Sequence, residues 1–162
     1  MIIYCAGPIR GDATYQESYK KIIVFVESQG HTILSELSAK FNSTIPLTDK
    51  QTYKRDLKWI DGSKIMIAEV SGPSLGVGFE ISYAIFQRKL PVLAIYSSEV
   101  QNISAMISGC DSPLLTMEKY LDDEEMKRII KNFISKKKIK WHFPSPFIRI
   151  KANFRCSLEY IP

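Results

Sequence analysis

The chain has 162 residues, of which 45% are hydrophobic and 24% charged, the balance of one globular domain with a sizeable core rather than of a disordered chain. No run approaches the roughly 18 apolar residues of a membrane helix, so no membrane partner is expected. The net charge of +5 belongs to one end: residues 1–126 carry 12 Lys/Arg against 16 Asp/Glu, whereas residues 127–162 carry 10 against 1. A basic coat over the main body is thereby excluded.

In chain order, "MIIYCAG" reads as a buried strand ending in a glycine turn. It opens without a basic n-region, and no secretory leader is expected. From Tyr15 to about Gln29, apolar Tyr19, Ile22, Ile23, Phe25 and Val26 recur at helical spacing, with Gly30 as the stop. "HTIL" is a short strand and 38–50 a polar loop. "TDKQTYKRDLKWIDGS" predicts a helix over 49–61, "KIMIAEV" a second buried strand, and "EVSGPSLGVGFEISYA" a glycine turn opening a helix over 76–89. "LPVLAIY" is a strand, "NISAMISG" a short helix and "PLLTM" a short strand. "DDEEMKRIIKNFISKKK" is a helix with acids first and bases last, which suits its dipole. Cys5, Cys110 and Cys156 are an odd set without metal-ligand spacing. Cys5, in an apolar run, reads as a buried reduced thiol, and a cytosolic or nuclear compartment is expected.

Five strands alternating with helices predict a doubly wound α/β domain with a parallel sheet. Ligands in such folds gather at the carboxyl ends of strands near a topological switch point. "CAGPIRGD" and "EVSGPSLGVGFE" both follow strands and should share that rim. The domain is expected to span 1–138. Residues 139–162 form a basic, aromatic extension, either an edge strand on the core or an arm on a neighbouring subunit.

The turn "PSLGVGFE" has the makings of a phosphate cradle. Gly76 and Gly78 allow close backbone approach, Ser74 offers a hydroxyl, and the following helix offers unpaired N–H groups. It lacks both the Walker ending and the dinucleotide spacing, and a plain connecting turn is the alternative. Glu80 lies between apolar flanks, so it faces a cleft or a partner. A cleft carboxylate can attack a sugar anomeric carbon. Asp56 is the best second carboxylate, with Arg55 or Lys58 as competing partners. Lys54, Arg55 and Lys58 otherwise read as a solvated basic face. Arg10, flanked by Ile9 and Gly11 in a loop, is placed to reach an anion. Tyr4 is either core or a hydroxyl at the rim, and neither His31 nor His142 is assigned a role.

"YCAGPIRGD", "YKRDLKWIDGSKIMIAEVSGPSLGVGFEISYA" and "NISAMISG", in register over roughly residues 2–135, resemble the nucleoside 2-deoxyribosyltransferase superfamily, and within it the 2'-deoxynucleoside 5'-monophosphate N-hydrolases. The resemblance implies a flavodoxin-like, five-stranded parallel sheet flanked by helices, and a homodimer with shared active sites. It implies that Glu80 is the nucleophile, Asp56 the acid assisting departure of the base, and Tyr4 the residue positioning the carboxylate. Arg10, Gly11, Ser74 and Gly76 would form the phosphate set, with Ile9 lining the pocket. Ser104 would be supplied to the phosphate by the other subunit, with Met106 beside it. Two positions depart from the family pattern. Pro8 stands where relatives often have a serine, and Leu37 where some have a histidine, which leaves the preferred base open.

The expected reaction is hydrolysis of a deoxynucleoside 5'-monophosphate through a glycosyl ester on Glu80, without metal or cofactor. A deoxyribosyltransferase and a ribonucleotide hydrolase are the nearer alternatives. A non-catalytic nucleotide or nucleic-acid binding module, using the +9 tail, is the more distant one. Nucleic acid is not expected as a partner.

Overall fold

A computed structural model describes residues 1–10, 12–38 and 46–142, the last five as backbone only. Gly11, the 39–45 part of the expected loop and most of the basic extension, Cys156 included, lie outside the described residues.

Five strands form one all-parallel sheet in the order β2-β1-β3-β4-β5. They are β1 (Ile2–Ala6), β2 (Thr32–Leu34), β3 (Ile65–Glu69), β4 (Val92–Ser97) and β5 (Leu115–Tyr120). The helices are α1 (Gln16–Ser28), α2 (Asp49–Gly62), α3 (Leu75–Ser82), α4 (Ala105–Ser108) and α5 (Asp123–His142). The expected architecture is therefore the observed one. α5 runs on through His142, across the boundary expected at 138. α3 begins one residue before its expected start, and Tyr83–Gln87 continues it as a π-helical turn.

Local chemistry sets the element ends. Gly30 adopts φ 76° just past α1, a left-handed conformation that glycine takes without steric cost. Thr48 and Gln51 close a reciprocal capping box at the start of α2. β3 is buried at every position, as a parallel strand covered on both faces must be.

Each face of the sheet packs its own core. On one, Ile3, Cys5, Ile67, Leu93 and Ile95 meet Tyr19, Ile22 and Val26 of α1 and Met126, Ile130 and Phe133 of α5. On the other, Tyr4, Ala6, Met66, Ala68 and Ala94 meet Ile60 of α2 and Val77, Ile81 and Ile85 of the α3 segment. Ala6, Ala68 and Ala94 stand side by side across three strands. These small side chains near the carboxyl ends let α3 approach the sheet and leave volume in front of it.

β1 and β3 are neighbours whose connections leave in opposite directions, so their following loops part at the switch point. Asp12 N–H donates to the Pro73 carbonyl at 3.4 Å, tying the two loops together. Two glycines that the sequence did not single out make this fit. A Cβ on Gly72 would lie 2.8 Å from the Asp12 carbonyl oxygen, and one on Gly7 would lie 2.4 Å from the Tyr19 ring. That ring cannot retreat easily, because its hydroxyl donates to the Cys5 carbonyl at 2.6 Å and meets Ser35 Oγ at 2.7 Å. Gly7→Ala is expected to destabilise the fold by about 1–3 kcal/mol through overpacking. A fall of several degrees in Tm by thermal unfolding would register it.

Candidate active site

At the mouth of the switch point lies a cavity of about 610 Å³ lined by residues of β1, α1, α2, α3 and the loops between them. A smaller recess of about 240 Å³ adjoins it and shares Arg10, Thr52, Asp56, Gly76 and Glu80. The loops "CAGPIRGD" and "EVSGPSLGVGFE" do share one rim.

Glu80 stands in the second turn of α3. Tyr4, buried in β1, donates its hydroxyl to Glu80 Oε1 at 2.8 Å. Tyr4 is therefore both core and site, since its ring packs under the sheet face while its oxygen reaches the carboxylate. Burial pushes the Glu80 carboxyl up to about 7; the Tyr4 bond and Arg55 oppose that rise, and the negative charges of Asp56 and Glu36 add to it. The Tyr4 hydroxyl is held well above the ordinary tyrosine range, first by burial and then by Glu80. It stays a donor at any working pH.

Asp56 lines the same cavity from α2. Burial raises its carboxyl above the ordinary range, the adjacent Arg55 opposes the rise, and Glu36 adds to it. Arg55 corrects the expectation of a solvated basic face. Its side chain is 24% exposed, donates Nε to Asp56 Oδ1 at 2.8 Å, pairs with Glu36 through Nη2, and lies 4.5 Å over the Trp59 ring. An amphipathic pattern could not separate this arginine from its exposed neighbours Lys54 and Lys58, because the partner Glu36 comes from the distant segment after β2.

The start of α3 lines another side of the cavity. Ser74 is its N-cap and accepts from Val77 N–H at 3.3 Å, so its own proton is left for a ligand. The N–H groups of Leu75 and Gly76 have no intrahelical acceptor at this terminus. They add to the positive end of the dipole. A Cβ on Gly76 would meet only Ser74 Oγ at 3.8 Å, and one on Gly78 would meet nothing within 4 Å. Neither glycine is therefore required by protein packing. Arg10 and Ile9 line the cavity, and Arg10 Nη1 donates to Asp49 Oδ1 at 2.9 Å in an exposed pair.

Ser104, the N-cap of α4, lines the cavity of its own chain. Met106 does not line it and is 87% exposed. Gly11 lies outside the described residues. Sequence reasoning passed over Glu36, Thr52 and Tyr19, all of which line the cavity. Glu36 sits beside Leu37, which packs against the core. Its polar–apolar alternation with that neighbour was the one available signal. Among the described residues no group of three or more His, Cys, Asp or Glu side chains is placed to hold a metal ion.

A switch-point cleft that gathers two carboxyls of raised pKa in front of a helix N-terminus is the arrangement of an enzyme of the α/β class. The sequence says which. Residues 3–140 match the nucleoside 2-deoxyribosyltransferase family, and the chain belongs to that family, whose enzymes work on the N-glycosidic bond. A protein of Syntrophotalea carbinolica named "Putative 2'-deoxynucleoside 5'-phosphate N-hydrolase 1" is 35% identical over 138 residues, covering 83% of this chain and 95% of the relative. A 5-hydroxymethyl-dUMP N-hydrolase from Esox lucius is 32% identical over 139 residues, covering 82% of this chain and 95% of the relative. Among solved structures, a CMP N-glycosidase from Clostridium botulinum superposes with a TM-score of 0.60 at 16% identity, over 82% of this chain and 99% of that one. A 2-deoxyribosyltransferase from Bacillus psychrosaccharolyticus gives 0.58 at 18% identity, over 78% and 90%. These two likenesses speak to the fold.

Glu80 is buried at the expense of stability, and this can be measured. Its folded carboxyl keeps a proton to about pH 7, whereas the unfolded side chain releases it near 4.3. Stability is therefore fully present below the unfolded value and declines as pH rises towards 7. Glu80→Gln escapes that decline while still accepting from Tyr4. It is expected to be more stable than the wild type at about pH 8, by at most about 4 kcal/mol, and nearly equal at about pH 4. Paired thermal melts at the two pH values check this.

Proposed function

We propose that the protein hydrolyses the N-glycosidic bond of 2'-deoxynucleoside 5'-monophosphates, giving a free nucleobase and 2-deoxyribose 5-phosphate. One observation carries this reading: Glu80, in the second turn of α3, faces the same cavity as the helix start with Ser74, Gly76 and Arg10. A sugar that bridges the two ends would carry a 5'-phosphate at one and its anomeric carbon at the other. The names of the relatives support the same substrate class.

In the first step an ionised Glu80 oxygen attacks C1' and the bond to the base breaks. The electron pair leaves with the base, which takes a proton or hydrogen bond from Asp56. In the second step water attacks C1' of the glycosyl ester, Asp56 accepts its proton, and Glu80 departs as a carboxylate. Tyr4 aims the attacking oxygen. The phosphate is offset by Arg10, by Ser74 and Ser104, and by the α3 terminus, so the nucleophile is not forced to remain protonated. The Arg10 guanidinium would leave Asp49 to do this. Without a 2'-hydroxyl the oxocarbenium-like transition state is easier to reach. Water closes the cycle here, where a transferase would use a second base.

The homodimer belongs to the same proposal. Tyr53, Phe79 and Phe86 are about half exposed, Leu75 and Met106 almost fully. Tyr53, Phe79 and Tyr83 form a tier with ring centroids 6.0 and 6.4 Å apart beside the cavity. A second copy covering this face would bury the tier and bring Met106 towards a site. A reducing cytosolic or nuclear compartment suits the buried Cys5 thiol.

Base release from a panel of deoxynucleoside monophosphates, nucleosides and ribonucleotides, resolved by chromatography, tests the reaction. Release confined to deoxy monophosphates and lost in Glu80→Ala is the expected outcome. No release from a folded protein would overturn it. Arg10→Ala should raise KM by about 10–100-fold, the worth of a charge-assisted phosphate contact. Sedimentation at micromolar concentration should give the mass of two chains.

A further inference from the structure

Arg55 is the residue the reaction above leaves unexplained. It is largely buried, it lies directly against the proposed acid, and its charge opposes what an acid needs. Both Nε and Nη2 reach Asp56 Oδ1 at 2.8 Å, and Nη2 is shared with Glu36 Oε1. The guanidinium is stacked over Trp59, with its carbon 4.5 Å from the ring centroid, so it cannot simply swing into solvent. Glu36 faces the cavity, as Asp56 does.

We propose that Arg55 and Glu36 are a positioning pair that sets the acidity and the donating oxygen of Asp56 in the N-hydrolase reaction, on which this inference rests. Arg55 occupies Oδ1, which leaves Oδ2 as the oxygen that carries the proton to the departing base. Glu36 draws part of the guanidinium charge away, so Asp56 is held in place without being locked as a carboxylate. The charged or titratable groups coupled to Asp56 come from four elements. Arg55 on α2 itself and Glu36 from the segment after β2 shift Asp56, and Asp56 in turn raises Glu80 on α3 and Tyr4 on β1. Arg55 lowers and Glu36 raises the carboxyls of both Asp56 and Glu80. The pair therefore moves the two carboxyls together, and its removal has opposite consequences according to which partner is lost.

The experiment is a titration of side-chain carboxyl carbons by NMR in the free protein, with Asp56 assigned through Asp56→Asn, alongside the pH profile of kcat/KM. Arg55→Gln should raise the Asp56 midpoint and move the alkaline limb of the profile up by about one pH unit or more, the range for loss of an adjacent arginine. Glu36→Gln should move both down. Arg55→Lys, which keeps the charge but not the fork, should leave the midpoint near the wild type and lower kcat more than it raises KM. Midpoints that stay put in both neutral variants, or move in the same direction, overturn the proposal. A wild type that releases no base while the midpoints still part as described defeats the hydrolase reading alone.

Discussion

The Tyr4–Glu80 hydrogen bond is the contact around which the rest of the site is arranged. It joins the first strand to a residue 76 positions later, and it needs the helix that carries it close to the sheet. The row Ala6, Ala68 and Ala94 provides the closeness. Larger side chains there would hold α3 away and fill the cavity in front of it. The bond also addresses a cost. A carboxylate taken out of water is unfavourable unless a donor meets it, and a buried tyrosine is the mildest donor available. An arginine in its place would drive the carboxyl far down. Tyr4 holds the oxygen in place while leaving burial to keep its basicity high.

The same helix serves two opposed electrostatic demands. Its N-terminus attracts anions, and so favours both a phosphate and an ionised glutamate. The surroundings of Glu80, apolar and flanked by Asp56 and Glu36, disfavour that charge. The carboxyl is raised to about 7 because burial, with Asp56 and Glu36, outweighs the Tyr4 bond and Arg55. Arg10 stands outside the balance. It is exposed and occupied by Asp49, so it can be recruited by an anion without having been an uncompensated buried charge beforehand.

Much of this was legible in the sequence because it depends on local pattern. The apolar run of β3, the spacing of α1, Gly30 and the glycine turn before α3 each specify their element within a window of a few residues. Glu80 stood out since the apolar flanks "VGF" and "ISYA" weigh against a solvated face or a merely dipole-favoured acid. Tyr4 was ambiguous for a physical reason: its ring and its oxygen belong to different environments, and sequence reports only one residue. The features passed over are all pairwise and distant. Glu36 meets Arg55 across 19 positions, Gly72 lies under the backbone of Asp12, and Gly7 under a ring from α1. The glycines that looked important, Gly76 and Gly78, have room around them, whereas Gly7 and Gly72, which packing does require, drew no attention of their own. Composition cannot rank glycines, because the constraint sits on the partner.

A second buried glutamate shows why a raised pKa alone would have misled. Glu69, at the end of β3, is also pushed up to about 7 by burial. It is fully enclosed, accepts from the Ser71 backbone and hydroxyl, and is reached by Tyr120 at 3.5 Å. Ser71 in turn accepts from Ser97 N–H at 2.8 Å. This network ties the ends of three strands to the first residues of the loop that carries Ser74. Nothing in it faces the cavity, so no substrate can reach the carboxyl. Two glutamates eleven positions apart, both pushed up to about 7, thus differ in what surrounds them: Glu69 closes a structural ring of donors, and Glu80 has, among the described residues, the Tyr4 hydroxyl as its donor and an open side. The open side leaves Glu80 accessible from the cavity, while the closed ring fastens the loop that carries Ser74 to the strand ends.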